Sequence, residues 1–423
     1  MELNELSLTA LGQLISSREV SAREVIEACL SRINQRENSV GAFEYLDTEY
    51  AVQQARRLDE GALSGPLHGL PVGIKDIIDT VDMPTAWGSS IYTGHRPARD
   101  AGCVAALRRS GAVIAGKTVT TEFAYFHPGK TRNPHNLDHT PGGSSMGSAA
   151  AVADKMLPAA LGSQTAASII RPAAYCGVVG YKSTQGAFDL GGVCGLSPTM
   201  DSLGFMVREP ADLHLLRRAY LGTEAPPARS PGDSPRIGLV RTPHWRDASP
   251  ESRRLLEAMA VAFESEGAEI SEIEIGPSDG ALTEAQKTVM AFETARARAF
   301  EYETHRDALS EAFRALVEEG LAIEFATYKS ALDLATVWSR RLDTVFADVD
   351  FLLTPSAPGE APEGLSKTGD PLFSRMWNVL RVPSVTLPAG VGPLGLPLGI
   401  QLIGAHGEDD RLISDAEWAW ARL

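Results

Sequence analysis

The sequence predicts an α/β fold: one large, mixed but mostly parallel twisted sheet flanked by helices. Three observations carry it. From residue 70 onward, short apolar runs alternate with helical stretches, the texture of strands covered on both faces. V-I-A-G-K-T (113–118) is a compact apolar run directly after the helical R-D-A-G-C-V-A-A-L-R-R. Late in the chain, D-F-L-L-T-P, P-S-V-T-L-P and L-P-L-G-I-Q-L-I supply further strands ahead of a C-terminal helix.

Taken in order, the first 60 residues read as helices. Ser21 is an N-cap with Glu24 three residues on, and Val25, Ile26, Cys29, Leu30 and Ile33 form an apolar stripe. Val40 to Leu46 is a strand candidate and Thr48 to Leu58 another helix. L-P-V-G-I-K-D-I-I-D, from Leu70, is strand-like with a glycine inside it. Residues 127–148 are rich in glycine, proline, asparagine and serine, so a long loop is expected there, with function on it. A-A-A-V-A-D-K-M then opens a helix. Ala225 to Pro235 reads as a surface excursion. I-G-L-V (237–240) is strand, Glu251 to Glu266 helix, I-S-E-I-E-I (270–275) an alternating strand, and 281–347 mainly helical.

The chain has 423 residues, which allows two or three domains or one large α/β body. One domain over 1–423 is the expectation, with an N-terminal helical segment at 1–62. Hydrophobic residues make up 43% and charged residues 22%, the balance of a soluble globular protein. The net charge of -15 argues against a nucleic-acid or anionic-membrane partner and leaves small molecules open. M-E-L-N-E-L-S lacks the regions of a signal peptide, and no apolar run reaches the roughly 18 to 20 residues of a membrane span, so a cytoplasmic protein is expected. Cys29, Cys103, Cys176 and Cys194 show no metal spacing, and the nine histidines include no H-E-x-x-H. Reduced thiols and no metal site follow as expectations.

Two readings compete for the chemistry. G-S-S-M-G (143–147) matches the G-x-S-x-G nucleophile elbow, with Ser145 as nucleophile. An elbow needs a buried strand just before it, and N-L-D-H-T-P-G is no such strand. The second reading joins three separated pieces: G-I-K-D, with Lys75 inside an apolar strand; P-G-G-S-S-M-G-S-A-A-A; and S-Q-T-A-A-S-I-I-R-P (163–172). A buried lysine is costly unless paired or neutral. Lys75 is therefore either bridged to a carboxylate such as Asp76 or Asp79, or a desolvated amine able to accept a proton. Ser168 follows Thr165, Ala166 and Ala167, whose small side chains would let backbone N–H groups approach a carbonyl.

Together, L-P-V-G-I-K-D, P-G-G-S-S-x-G-S-A-A-A-V-A and S-I-I-R-P-A-A-Y-C-G-V-V-G-Y-K closely resemble the amidase signature family. The signature would span 70–185, with the order of later elements also fitting. The resemblance implies an amidohydrolase with a Ser–Ser–Lys triad. Lys75 would be the base, Ser144 the bridging serine and Ser168, 24 residues on, the nucleophile. It implies a cis Gly143–Ser144 peptide, an oxyanion hole at Thr165, Ala166, Ala167 and Ser168, and no metal or cofactor. Alanines stand at 166 and 167 where many members have glycine, so the hole is intact only if both sit at negative φ. Met146 replaces a residue usually small and is expected on the pocket wall. Arg171, in S-I-I-R-P rather than S-I-R-x-P, resembles a malonamidase-like subgroup, and is either a carboxylate reader or a structural arginine. Tyr125 and Phe126 fall near the acyl pocket or in the core. The helices of 281–345, with Met290, Phe292, Trp338 and Arg341, are expected to supply the other wall. The substrate would be a small amide, anilide or carbamate, and a homodimer is left open. The alternatives are the ammonia-generating component of a tRNA-dependent amidotransferase and a non-catalytic relative, the latter disfavoured by the complete triad.

Overall fold

A computed structural model describes residues 2–222, 233–277 and 280–423. Most of the expected excursion at 225–235 lies outside them. An 11-stranded sheet runs through the molecule. Its strands are β1 (Phe43–Tyr45), β2 (Pro71–Lys75), β3 (Val113–Thr118), β4 (Ala159–Gln164), β5 (Val179–Lys182), β6 (Ser202–Val207), β7 (Arg236–Leu239), β8 (Glu269–Glu272), β9 (Phe351–Pro355), β10 (Ser384–Val391) and β11 (Pro397–Ile403). Their order across the sheet is β1-β3-β2-β4-β6-β5-β10-β11-β9-β7-β8. The large mixed sheet flanked by helices is as expected. Its parallel share is smaller than expected: β2 runs parallel to β3 and β4, and β7 to β8 and β9, while the other pairings are antiparallel. The reason lies in β5, β6, β10 and β11, which come back without crossover helices between neighbours and so pair antiparallel.

Strand alternation sorts the core into two layers. Ala160 of β4 and Met206 of β6 pack with Ala149, Val152, Ile169 and Ala173. Ala159, Leu161, Phe205 and Val207 belong to the larger cluster on the other side, with Leu213, Leu216, Leu412 and Ile413. The first layer brings the helices Met146–Ala153 and Ile170–Cys176 onto the middle of the sheet. Their run of alanines permits that closeness. Gly147 shows how tight it is: a Cβ there would lie 2.2 Å from the Ala42 carbonyl oxygen and 2.4 Å from Val119 N.

The N-terminal helices form as read. Ser21 caps Ala22–Val40, with Ser21 Oγ accepting from Glu24 N and the Glu24 carboxylate accepting from Ser21 N. Residues 281–347 hold the helices Ala281–Ala297, Ala299–His305, Glu311–Ala322 and most of Phe325–Asp348. All four cysteines are buried and free. Among the described residues, no helix is long and apolar enough to cross a membrane.

Candidate active site

The site sits at the carboxyl ends of the parallel pair β2 and β4, where Val72 faces Ala159 and Ile74 faces Leu161. That register carries Lys75, the last residue of β2, level with the end of β4. Lys75 is fully buried. Its Nζ donates to Ser144 Oγ at 2.7 Å and to Ser163 Oγ at 2.9 Å. The carboxylate expected as its structural partner is taken elsewhere: Asp76 Oδ1 lies 3.0 Å from Lys117 Nζ in a buried ion pair. Burial pushes the Lys75 amine down to about 7, against the opposing pull of Asp201 and then Cys194. Lys75 is thus a desolvated amine held among hydroxyls.

Ser144 precedes the helix Met146–Ala153, and the Gly143–Ser144 peptide is cis, as the resemblance implied. Ser145 turns away: it is fully buried and its Oγ donates to the Ser163 carbonyl at 3.2 Å. The residues leading into it, 140–144, are loop rather than strand, so the elbow geometry is not formed.

Between β4 and the helix Ile170–Cys176, the chain turns through Thr165, Ala166, Ala167 and Ser168. Neither alanine has positive φ, so the alanine-for-glycine exchange leaves this turn unstrained. Gln164 closes the turn like a cap, its Oε1 accepting the N–H groups of Ile169 at 2.9 Å and Ile170 at 3.0 Å. Among the described residues, the N–H groups of Ala166, Ala167 and Ser168 find no acceptor, and all three residues line one cavity with Ser144. Ser168 Oγ and Ser144 Oγ share this cavity without a hydrogen bond between them, while Ser145 N donates to the Ser168 carbonyl at 3.1 Å.

The cavity measures about 20 Å³, room for roughly one water. Tyr125, Phe126 and Arg171 line it as expected, with Thr121, Ala124, Leu196, Met290, Thr368 and Pro371. Tyr125 meets Phe126 edge-on at 4.8 Å. Met146 is a correction. It starts its helix, is buried, and points to Gly129, whose N–H meets its Sδ at 3.3 Å, so it forms no part of the wall. Of the residues named on 281–345, Met290 reaches the cavity. Phe292 instead stacks on Tyr328 at 4.1 Å, and Trp338 packs under Arg341.

Arg171 is buried and makes three bonds: Nη1 to the Gly369 carbonyl at 2.6 Å, and Nη2 to the Gly143 carbonyl at 2.8 Å and Thr368 Oγ1 at 3.0 Å. Burial brings it down to about 10, so it stays cationic at neutral pH. It grips the carbonyl just before Ser144, and its Nε–H has no partner among the described residues. Beyond Phe126, Thr368 and Pro371 lies a larger hollow of about 690 Å³, lined also by Arg375, Lys287 and Lys367.

Ser163, Ala124, Leu196, Thr368 and Asp201 carried no sequence signal. Ala124 and Phe123, at φ 62° and 45°, hold strained backbone against the cavity.

The family model for amidases matches residues 24–413. The glutamyl-tRNA(Gln) amidotransferase component GatA-type relative of Synechococcus sp. (strain CC9605) is 32% identical over 472 aligned residues, covering 98% of this chain and 96% of that one. A solved amidase structure superposes with a TM-score of 0.90 at 28% identity, over 99% of this chain and 100% of that chain. The peptide amidase of Stenotrophomonas maltophilia gives 0.82 at 28% identity, over 99% and 97%. The chain belongs to the amidase signature family and is an enzyme, an amidase.

Proposed function

We propose that this enzyme hydrolyses a carboxylic amide, anilide or carbamate C–N bond through Lys75, Ser144 and Ser168, releasing an acid and an amine or ammonia. The observation that carries the reading is the 2.7 Å bond from Lys75 Nζ to Ser144 Oγ, in a cavity that also holds Ser168. A lysine with only hydroxyl side-chain partners and a proton affinity near neutrality is suited to general-base work.

Neutral Lys75 takes a proton from Ser144 as Ser144 takes one from Ser168. Ser168 Oγ attacks the carbonyl carbon, and the negative charge moves to the carbonyl oxygen. The N–H groups of the 165–168 turn, three of them free of other acceptors among the described residues, receive it. Each such donor is worth about 2.7–4 kcal/mol to the barrier. Ser144 returns a proton to the leaving nitrogen, the C–N bond breaks, and water then cleaves the acyl-enzyme by the reverse relay. The narrow cavity favours a compact group beside Ser168, with a larger group in the 690 Å³ hollow. Arg171 holds the Gly143 carbonyl and so the placement of Ser144; its free Nε–H leaves one donor for substrate.

A free-standing cytoplasmic hydrolase is the reading preferred, because Q-T-A-A-S-I-I-R fits the hydrolase subgroup. The identity to the amidotransferase components sustains a second reading, in which ammonia passes to a partner. Screening p-nitroanilides, carbamates, half-amides and glutamine, with and without a co-purifying partner protein, tests both. Turnover of simple amides by the isolated chain supports the first; glutaminase activity dependent on a partner supports the second.

A further inference from the structure

Asp201 is a buried carboxylate to which neither the sequence nor the proposed relay gives a task. It sits just before β6, 7% exposed, and no cation pairs with it among the described residues. Burying a carboxylate without a cation is costly, so its hydrogen bonds must hold it. Their placement is specific. Thr165 Oγ1 donates to Asp201 Oδ1 at 2.5 Å. Leu196 N and Ser197 N donate to Oδ2 at 2.8 and 3.0 Å. One carboxylate therefore bridges the first residue of the turn that bears Ser168 and the segment that supplies Leu196 to the opposite wall of the cavity. The turn has a second brace: the Thr165 carbonyl accepts Gln286 Nε2 at 3.1 Å, and Gln286 Oε1 accepts Arg375 Nη1.

We propose that Asp201 is a positioning residue for amide cleavage: its carboxylate fixes the Thr165–Ser168 turn against the Leu196–Ser197 wall, and its charge acts on Lys75 across the cavity. The inference rests on the Ser168 reading. The groups facing Asp201 are the Thr165 hydroxyl, the N–H groups of Leu196 and Ser197, the Lys75 amine, the Cys194 thiol and the Glu293 carboxylate. Burial first of all raises Asp201 to about 6, its hydrogen bonds opposing this and Glu293 adding to it. Above that pH the carboxylate is ionised and favours the protonated form of Lys75. Two separable effects follow. Loss of the brace loosens the oxyanion donors, which lowers kcat. Loss of the charge makes Lys75 easier to deprotonate, which moves the acid limb of the pH profile to lower pH.

The test is the pH dependence of kcat and KM on a neutral amide for Asp201→Asn and Thr165→Val. Asp201→Asn lowers kcat on the order of 10²-fold, with KM within about threefold, and shifts the acid limb down by about half a unit or more. Thr165→Val, which keeps the carboxylate, lowers kcat without shifting the limb down. Parental kcat and an unmoved limb in folded Asp201→Asn overturn the proposal. Should Asp201→Asn fail to fold, parental kcat in Thr165→Val overturns it. Ser168→Ala run alongside separates the two readings: full activity there removes the Ser168 assignment itself, whereas an inactive Ser168→Ala beside an unaffected Asp201→Asn removes only the role of Asp201.

Discussion

Asp76 gives its carboxylate to Lys117, at 3.0 Å, and not to its chain neighbour Lys75. Asp76 also accepts the Ala86 N–H at 3.0 Å, so it is fully engaged on that side. Lys75 is left with Ser144 and Ser163 as side-chain partners. A lysine compensated by a carboxylate would hold its proton and serve structure; one surrounded by hydroxyls can surrender it.

The pH profile follows from this arrangement. Lys75 must be neutral to accept a proton, and burial brings it down to about 7. Activity on a neutral amide should therefore rise with pH through about 7 and level off above it. Lys75→Arg, always charged, should lose on the order of 10²–10⁴-fold in kcat. The pH–rate curve checks both.

Arg171 should prove indifferent to substrate charge. Three of its bonds go to Gly369, Gly143 and Thr368, and the Gly143 carbonyl immediately precedes Ser144. Arg171→Met should lower kcat/KM for half-amides and neutral amides alike, on the order of 10–100-fold, through misplacement of Ser144. A rise in KM confined to acidic amides would instead make Arg171 a carboxylate reader.

Ala166 should behave as an ordinary residue at negative φ. Ala166→Gly widens the unfolded ensemble without relieving strain, so it should cost about 0.4–1 kcal/mol of stability and leave kcat no higher. Denaturant unfolding and a rate measurement together check it.

Lys182 offers a stability test remote from catalysis. It is buried in β5 opposite Ser384, and its Nζ has no hydrogen-bond partner among the described residues. Asp409 is occupied by Tyr181 Oη at 2.6 Å and by Thr184 N at 2.7 Å. Burial lowers Lys182 from 10.5 to about 7, with Asp409 opposing. Below pH 7 the amine is protonated in both states and the burial cost is fully present; it declines between pH 7 and 10.5 and is gone above. Lys182→Met should raise Tm most at and below pH 7, by on the order of 1 kcal/mol or more in stability, with the gain fading toward pH 10. A gain independent of pH would contradict this.

Much of the site was legible because its chemistry lies in three short motifs with fixed spacing. Lys75 stood out as a charge inside an apolar strand, and Ser144 and Ser168 as serines among glycine and alanine. The strands that place them were harder to see. A-A-L-G-S-Q of β4 has little β-branched or aromatic character, and its strand exists because β2 and β6 pair with it on either side. Asp201, Gln286 and Arg375 reach the turn from 36 or more residues away, and only tertiary packing brings them there. Met146 was misplaced because a helix begins at that residue, which turns its side chain onto Gly129.

The central claim is that Ser168 forms the acyl-enzyme. The most direct measurement is intact mass and peptide mapping after reaction with a fluorophosphonate, at a pH above 7. The account predicts a single adduct on Ser168, loss of amide hydrolysis in step with labelling, and neither adduct nor turnover in Ser168→Ala. Undiminished amide hydrolysis by Ser168→Ala, or an adduct on Ser145 in its place, would contradict it.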